Sequence, residues 1–400
     1  MPPSTEQKNG LCEIFLIYLR LGCLSFGGPV AHMGYFKDEF VNRRKWLNDA
    51  SYTELLGLCQ FVPGPSSSQL GFAIGWHRGG LSGACAAWLG FTLPSTLLMI
   101  AFAYGLFAWA DSIESLIHGL LIAAVAVVAN ATLGLGRKLC PDLPRLAIAL
   151  LAAASVLSFP GSLTQVGIIL FGALVGQVIR AKATASSGSM RHKEAYARHT
   201  HNRTIIIGAL ALYVILLTIS LWVDASQPGA IYAQHYRAGA LVFGGGHVVL
   251  PLLNDSVVAS GLVSEESFLA GYSAAQALPG PLFTLSAFLG TLGGGTSPAW
   301  LGGLLALIAI FLPGMLLLLG LLPFWNTIRQ KNWAQAALTG ANAAVVGLLL
   351  AALIDPVWSH GIQTIPDLCI GCLAFFGLYR HKLPAWLVVL GCGAAGYFLS

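Results

Sequence analysis

Two arginines sit where arginine is costly. Arg20 and Arg237 each interrupt an apolar stretch, and the same series of residues follows both. The first copy reads Arg20-Leu-Gly22, Phe26-Gly27-Gly28-Pro29, Gln60, Pro63-Gly64-Pro65. The second reads Arg237-Ala-Gly239, Phe243-Gly244-Gly245-Gly246, Gln276, Pro279-Gly280-Pro281. The copies are offset by 217 residues at the arginines and 216 at the prolines, so the chain carries an internal repeat. A guanidinium stays charged and offers a planar fork that fits oxyanions. At the centre of a membrane helix it costs about 2.5–3.5 kcal/mol on insertion scales, which makes the repeated pair a functional candidate. Snorkelling of Arg20 to an interface is the structural alternative.

Pro63-Gly64-Pro65 removes two backbone donors around the most permissive residue, so no helix runs through it unstrained. Proline suits a first helical position, so Pro65 and Pro281 can each start a new half-helix. The free N–H groups of the next turn, at Ser66–Ser68 and Leu282–Thr284, then carry positive partial charge and make an anion site. The hydroxyls of Ser66, Ser67, Ser68 and Thr284 and the amides of Gln60 and Gln276 add donors. A kink repaired by neighbouring helices is the plainer reading. The runs Phe26–Pro29 and Phe243–Gly246 serve equally as hinges or as close packing. Glu54 reads as a proton carrier, a partner for Arg20 or a surface carboxylate, and His32 and His247 read as interfacial.

The elements that must position these residues are membrane helices. Of 400 residues, 56% are hydrophobic and 9% charged, against about 25% charged in soluble domains. Residues 79–110, 146–179 and 267–328 hold no Asp, Glu, Lys or Arg, and each run exceeds the roughly 20 residues that cross a bilayer. No cleavable signal pattern precedes Leu11. Cys369-Ile-Gly-Cys372 lacks a second pair or a nearby histidine, so packing is the better reading than a metal or redox site. No nucleotide-binding or nucleic-acid motif stands out, and neither a metal nor an organic cofactor is expected.

Expected spans fall at about 82–109, 114–136, 145–159, 162–180, 204–223, 299–324, 334–354, 362–379 and 384–399. The broken segments 11–33, 51–76, 231–253 and 267–295 either turn back as re-entrant pairs or cross fully, giving nine to thirteen spans. This divides the chain into a first repeat (1–180), a basic linker (181–203), one connecting helix (204–223) and a second repeat (224–400). Loops of the first half are basic at Lys37–Lys45, Arg78 and Arg137–Arg145, whereas their counterparts carry Asp255, Glu265, Glu266 and Asp355. Basic loops stay cytoplasmic. The fold class is therefore an all-α polytopic membrane protein with two inverted-topology repeats joined by one extra helix. Its N-terminus is expected inside and its C-terminus outside.

The paired Arg-x-Gly…Phe-Gly-Gly and Gln-x-x-Pro-Gly-Pro elements, in this order, resemble those of the chromate ion transporter family in its long-chain, two-repeat form. The resemblance runs from about Leu11 to Leu399 and departs at Gly246, where the first half has Pro29. It implies a bacterial inner-membrane protein that exports chromate on the proton-motive force, with sulfate as a chemical analogue. The residues by themselves give an inverted-repeat anion transporter, with the anion between the repeats and the glycine breaks as hinges. A passive anion channel is the rival, and a homodimer fits such a chain. A membrane enzyme would need a catalytic cluster that the sequence does not offer.

Overall fold

The computed structural model describes residues 5–26, 28–109, 114–160, 162–181, 203–224, 227, 229–242, 249–325 and 331–399. Gly27, nearly all of the basic linker and the second Phe-Gly-Gly-Gly run, Phe243–Gly246 with His247, lie outside these residues. Among the described residues the chain is helical with no strand, as expected where a bilayer leaves backbone groups no partner but their own helix.

Helix α1 (Thr5–Leu24) stops at Ser25, and α2 (Gly28–Lys37) starts at Gly28 with φ 76°. Pro29 falls in the first turn of α2, where a missing N–H costs nothing. The chain then doubles back through a π-helical turn, Asp38–Arg43. Phe36 and Phe40 pack on Tyr18, with ring centroids 5.7 and 5.0 Å away. Arg44 reaches Glu13, near the start of α1, at 3.0 Å. Helix α3 (Asp49–Phe61), capped by Asn48, leads to Pro63-Gly64-Pro65. Helix α4 (Ser66–Trp109) follows, broken at Gly79 and Gly80 into arms 66–78 and 81–109. Arg78, at the end of the first arm, lies over the Trp46 ring just before α3, 5.2 Å from its centroid. Both broken segments therefore begin and end at one face. This is the re-entrant alternative, and it keeps Lys37–Lys45 on the side where α1 begins.

Helices α5 (Glu114–Leu139), α6 (Leu143–Ser158) and α7 (Ser162–Ala181) complete the first half, and α8 (Arg203–Trp222) connects the halves. The second half repeats the pattern with α9 (Ala230–Leu241), α10 (Val249–Leu253), α11 (Glu265–Ala277), α12 (Leu285–Gly293) and α13 (Ala299–Leu321). Here too the chain folds back, since Gln234 of α9 donates to Ser260 at 3.2 Å and Tyr232 to the Gly294 carbonyl at 3.3 Å. Helices α14 (Asn332–Ala352), α15 (Ile365–Tyr379) and α16 (Ala385–Leu399) follow. Helices α7 and α14 cross where Gly172 meets Gly340. A Cβ on Gly340 would lie 1.8 Å from the Gly172 carbonyl oxygen, so only glycine fits there.

The two halves run in opposite senses. The Trp300 amide, at the start of α13, donates to the Tyr104 hydroxyl near the end of α4, at 3.3 Å. Equivalent spans thus lie antiparallel, with the Gly79–Gly80 and Gly293–Gly295 turns at opposite faces.

Five described helices are long and apolar enough to cross a membrane: Ser66–Leu106, Ser115–Leu139, Arg203–Trp222, Ala299–Phe324 and Asn332–Gly361. Adding the shorter apolar helices α6, α7, α15 and α16 gives nine, the lower of the expected numbers, because the broken segments turn back. Cys369 and Cys372 are free and exposed on α15 rather than packed into the core.

Candidate anion site at the crossed turns

The two Pro-Gly-Pro turns are docked on each other's repeat. The Gly64 amide donates to the Val242 carbonyl at 2.7 Å, and the Gly280 amide donates to the Ser25 carbonyl at 2.9 Å. Ser25 and Val242 are the residues at which α1 and α9 end, so each turn satisfies a carbonyl that its own helix leaves orphaned. Gly64 (φ 127°) and Gly280 (φ 96°) take backbone conformations that side chains rarely adopt. Each turn also abuts the proline kink of the opposite span. A Cβ on Gly64 would lie 2.9 Å from the Gly314 Cα, next to Pro313, and one on Gly280 would lie 2.9 Å from Ser95 Oγ, next to Pro94. Gln69 reinforces the first contact by donating from Nε2 to the carbonyls of Pro63 at 2.9 Å and Gly314 at 3.1 Å.

The first arm of α4 starts at this junction. Its first intrahelical bond runs from the Gln69 amide to the Pro65 carbonyl at 2.9 Å, so the amides of Ser66, Ser67 and Ser68 stand ahead of the ladder. All three serines are buried, as are Ser25, Thr92 and Gln69. Among the described residues the Oγ atoms of Ser25 and Ser68, Thr92 Oγ1 and Gln69 Oε1 have no hydrogen-bond partner. Buried hydroxyls are almost always bonded, so this cluster has spare capacity. His32 of α2, 0% exposed, closes it, with Nδ1 3.4 Å from Ser67 Oγ and Nε2 3.1 Å from the Ser25 carbonyl.

The second copy is built differently. Leu282 and Phe283 stand where the first has Ser66 and Ser67. Thr284 is turned onto its own loop, with hydroxyl and amide both donating to the Pro281 carbonyl at 2.8 and 3.0 Å. The run of three serines therefore belongs to the first repeat, and in the second the Thr284 hydroxyl is taken up by its own loop.

Neither arginine is bonded to this cluster. Within Arg20-Leu-Gly22 the glycine is the inward residue, since its Cβ would lie 2.6 Å from the Phe91 carbonyl oxygen. Arg20, about 200° round the helix, is exposed. Gly239 meets the Ile310 carbonyl in the same way, at 2.1 Å, and Arg237 is half-buried on the other side. Its Nη2 reaches the Val223 carbonyl, just past the end of α8, at 3.5 Å, a favourable place for a cation. Gln60 is exposed, with Nε2 3.9 Å from Met33 Sδ, and Gln276 bonds to Tyr272. Glu54 lies half-buried on α3. Phe26 packs on Trp386 at 5.9 Å. His32, read from sequence as interfacial, is instead wholly buried.

Gln69 and Ser25 are the residues that sequence reasoning passed over, and His32 is the one it placed at the interface. A search for repeated positions discards all three, because their partners in the second half are not the same residue types.

The face where α1 begins carries a basic network. Glu39 accepts from Arg43 at 3.0 Å and Arg44 at 2.6 Å, while Lys37 pairs with Asp49 at 2.9 Å. Burial pushes the Glu39 carboxyl up, but the hydrogen bonds and charges of Arg44 and Arg43 outweigh it and hold the group below the usual carboxylate range. The opposite face gathers Glu265 with His360 at 3.4 Å and Asp367 with His118 at 2.9 Å.

The pattern of the family described as chromate transporter matches residues 12–177 and again 229–397. A chromate transport protein of Pseudomonas aeruginosa is 26% identical, over 97% of this chain and 92% of its own length. A probable chromate transport protein of Synechococcus elongatus is 28% identical, over 96% of this chain and 95% of its own. A chromate transport protein of Cupriavidus metallidurans is 27% identical, over 99% and 96%. No solved structure matches the chain. Matched in both halves, the chain belongs to the chromate transporter family.

Proposed function

We propose that this protein is a secondary transporter that moves chromate outward across the bacterial cytoplasmic membrane, using the proton-motive force. The dianion is held at the start of the 66–78 arm, by the amides and hydroxyls of Ser66, Ser67 and Ser68. The observation that carries this reading is the buried, donor-rich helix start between the repeats, with Ser68 Oγ and Ser25 Oγ unpartnered among the described residues. Support for the substrate comes from the names of the full-length relatives.

The orientation follows from charge. The face with Arg43, Arg44, Arg78 and Arg137 is the cytoplasmic one, and the face with Glu265 and Asp367 is external. In this reading Arg20 and Arg237 raise the positive potential around the path, and Glu54 stays a candidate for proton coupling.

Purified protein in proteoliposomes tests the proposal. Energised vesicles should accumulate chromate against its gradient, which a passive channel does not do. Ser68→Ala should raise the KM for chromate about tenfold, roughly the worth of one hydrogen bond to a charged group. An unchanged KM in both Ser67→Ala and Ser68→Ala would remove this cluster from the site. Sulfate shares the tetrahedral dianionic form, and equal competition by sulfate would make the substrate class broader than chromate.

A further inference from the structure

We propose that His32 is the proton-accepting element of the anion site: it takes up a proton when the dianion binds, and in doing so switches the Ser67 hydroxyl from facing the imidazole to facing the anion. This rests on the functional reading above and concerns the anion-binding step alone.

The argument starts from donors and acceptors. His32 Nε2 lies 3.1 Å from the Ser25 carbonyl, which can only accept, so Nε2 bears the hydrogen in the neutral ring. Nδ1 then presents a lone pair to Ser67 Oγ at 3.4 Å, and the serine hydrogen is spent on it. In that arrangement Ser67 shows its neighbours only lone pairs, which repel an anion. A proton added at Nδ1 reverses the bond. Nδ1–H now donates to Ser67 Oγ, and the serine hydrogen is free to turn to an anion at the helix start. Each nitrogen keeps a partner, and the only net change is the one proton gained.

Electrostatics work in the same direction. A dianion one hydroxyl away supplies the opposite charge that favours a proton on the imidazole. The elements packed around His32 bring titratable groups, but among the described residues none bonds to the ring. On α1, Tyr18 donates to the Gly71 carbonyl at 3.0 Å, and Arg20 and Cys23 are exposed. On α3, Tyr52 donates to the Met33 carbonyl, Cys59 is buried and Glu54 is half-buried. On α4, His77 and Arg78 stand at the far end of the first arm, Arg78 over Trp46, and Phe91 meets the imidazole edge-on at 5.2 Å. The Ser25 carbonyl that anchors His32 is also the acceptor for the Gly280 amide, so the ring touches both the anion cradle and the bond between the repeats.

The test is the dissociation constant of purified protein for chromate from about pH 6 to about pH 8.5, expressed per concentration of the dianion. Affinity in the parent should tighten on acidification by up to about tenfold per pH unit, and His32→Gln, which can keep the bond to Ser25, should flatten the profile. Calorimetry in two buffers of different ionisation enthalpy should show proton uptake on binding by the parent alone. A flat parent profile with no proton uptake overturns the proposal, whatever the variant does. So does a His32→Gln profile as steep as the parent's. A parent that binds no chromate at all defeats the functional reading itself, and this inference with it.

Discussion

The amide of Gly280 donates to the carbonyl of Ser25 at 2.9 Å, and this bond, with its counterpart from Gly64 to Val242 at 2.7 Å, ties the turn of each repeat to the broken helix of the other. Both donors sit at positive φ, and both are enclosed. Gly64→Ala should be the more damaging substitution, because its Cβ would press on the Gly314 Cα as well as on Gln69. Gly280→Ala meets first the end of the Ser95 side chain, which can rotate. We expect losses of about 1–3 kcal/mol from the backbone conformation in each case, larger at Gly64. Thermal unfolding in detergent measures this, and equal shifts for the two variants would contradict the packing argument.

Gln69 is tested by making the first repeat resemble the second. Gln69→Leu copies Leu285 and leaves the Pro63 and Gly314 carbonyls without their side-chain donor. The expected loss is about 1–3 kcal/mol. Gln69→Glu should be worse, since a carboxylate would face two carbonyl oxygens. Ranking the three proteins by melting temperature decides the point; a stable Glu variant would show that these contacts matter little.

Opposed repeats make a labelling prediction. Lys45, Lys331 and Glu266 are all exposed, and single cysteines at the first two should react with an impermeant thiol reagent from the same side of the membrane. A cysteine at Glu266 should react only from the other. The experiment requires a background without native exposed cysteines, such as Cys12, Cys23, Cys85, Cys369 and Cys372. Labelling of all three positions from one side would refute the antiparallel arrangement.

Acid sensitivity at the basic face should trace to Glu39. Its carboxyl is held below the usual range by Arg44 and Arg43 against the opposing effect of burial. A depressed carboxylate contributes stability above its unfolded-state pKa, about 4.3, and loses it as the pH falls through the lower folded value. Melting temperature in the parent should therefore drop on acidification below about pH 4.3. Glu39→Gln should start lower at neutral pH and change less. Parallel curves for the two proteins would exclude this network as the cause.

Much of the fold was legible because it depends on patterns that the bilayer enforces. Long uncharged runs, Pro-Gly-Pro breaks and the reversal of loop charge pointed to inverted repeats with broken helices. The re-entrant course of the first segment was open in the sequence and is decided by contacts such as Arg44 with Glu13. The candidate site was less legible, for a physical reason. Repetition picks out what both halves need in order to pack, such as Gly22 against Phe91 and Gly239 against Ile310. It also marks Arg20, which lies two residues before such a glycine. Three of the buried polar groups are unrepeated: Ser66, Ser67 and Gln69 correspond to Leu282, Phe283 and Leu285 in the second copy. His32 had no charged partner in sequence to mark it.

The crossed bonds at the turns also bear on how such a molecule can move. Glycine at a break invites the image of a hinge, yet Gly64 and Gly280 are each clamped to the opposing half. Pulling the halves apart would expose both amides at once in a dry interior, at several kcal/mol. Tilting the outer helices about this point costs neither bond. The centre is thus a fulcrum, and the parts free to swing are those farthest from it.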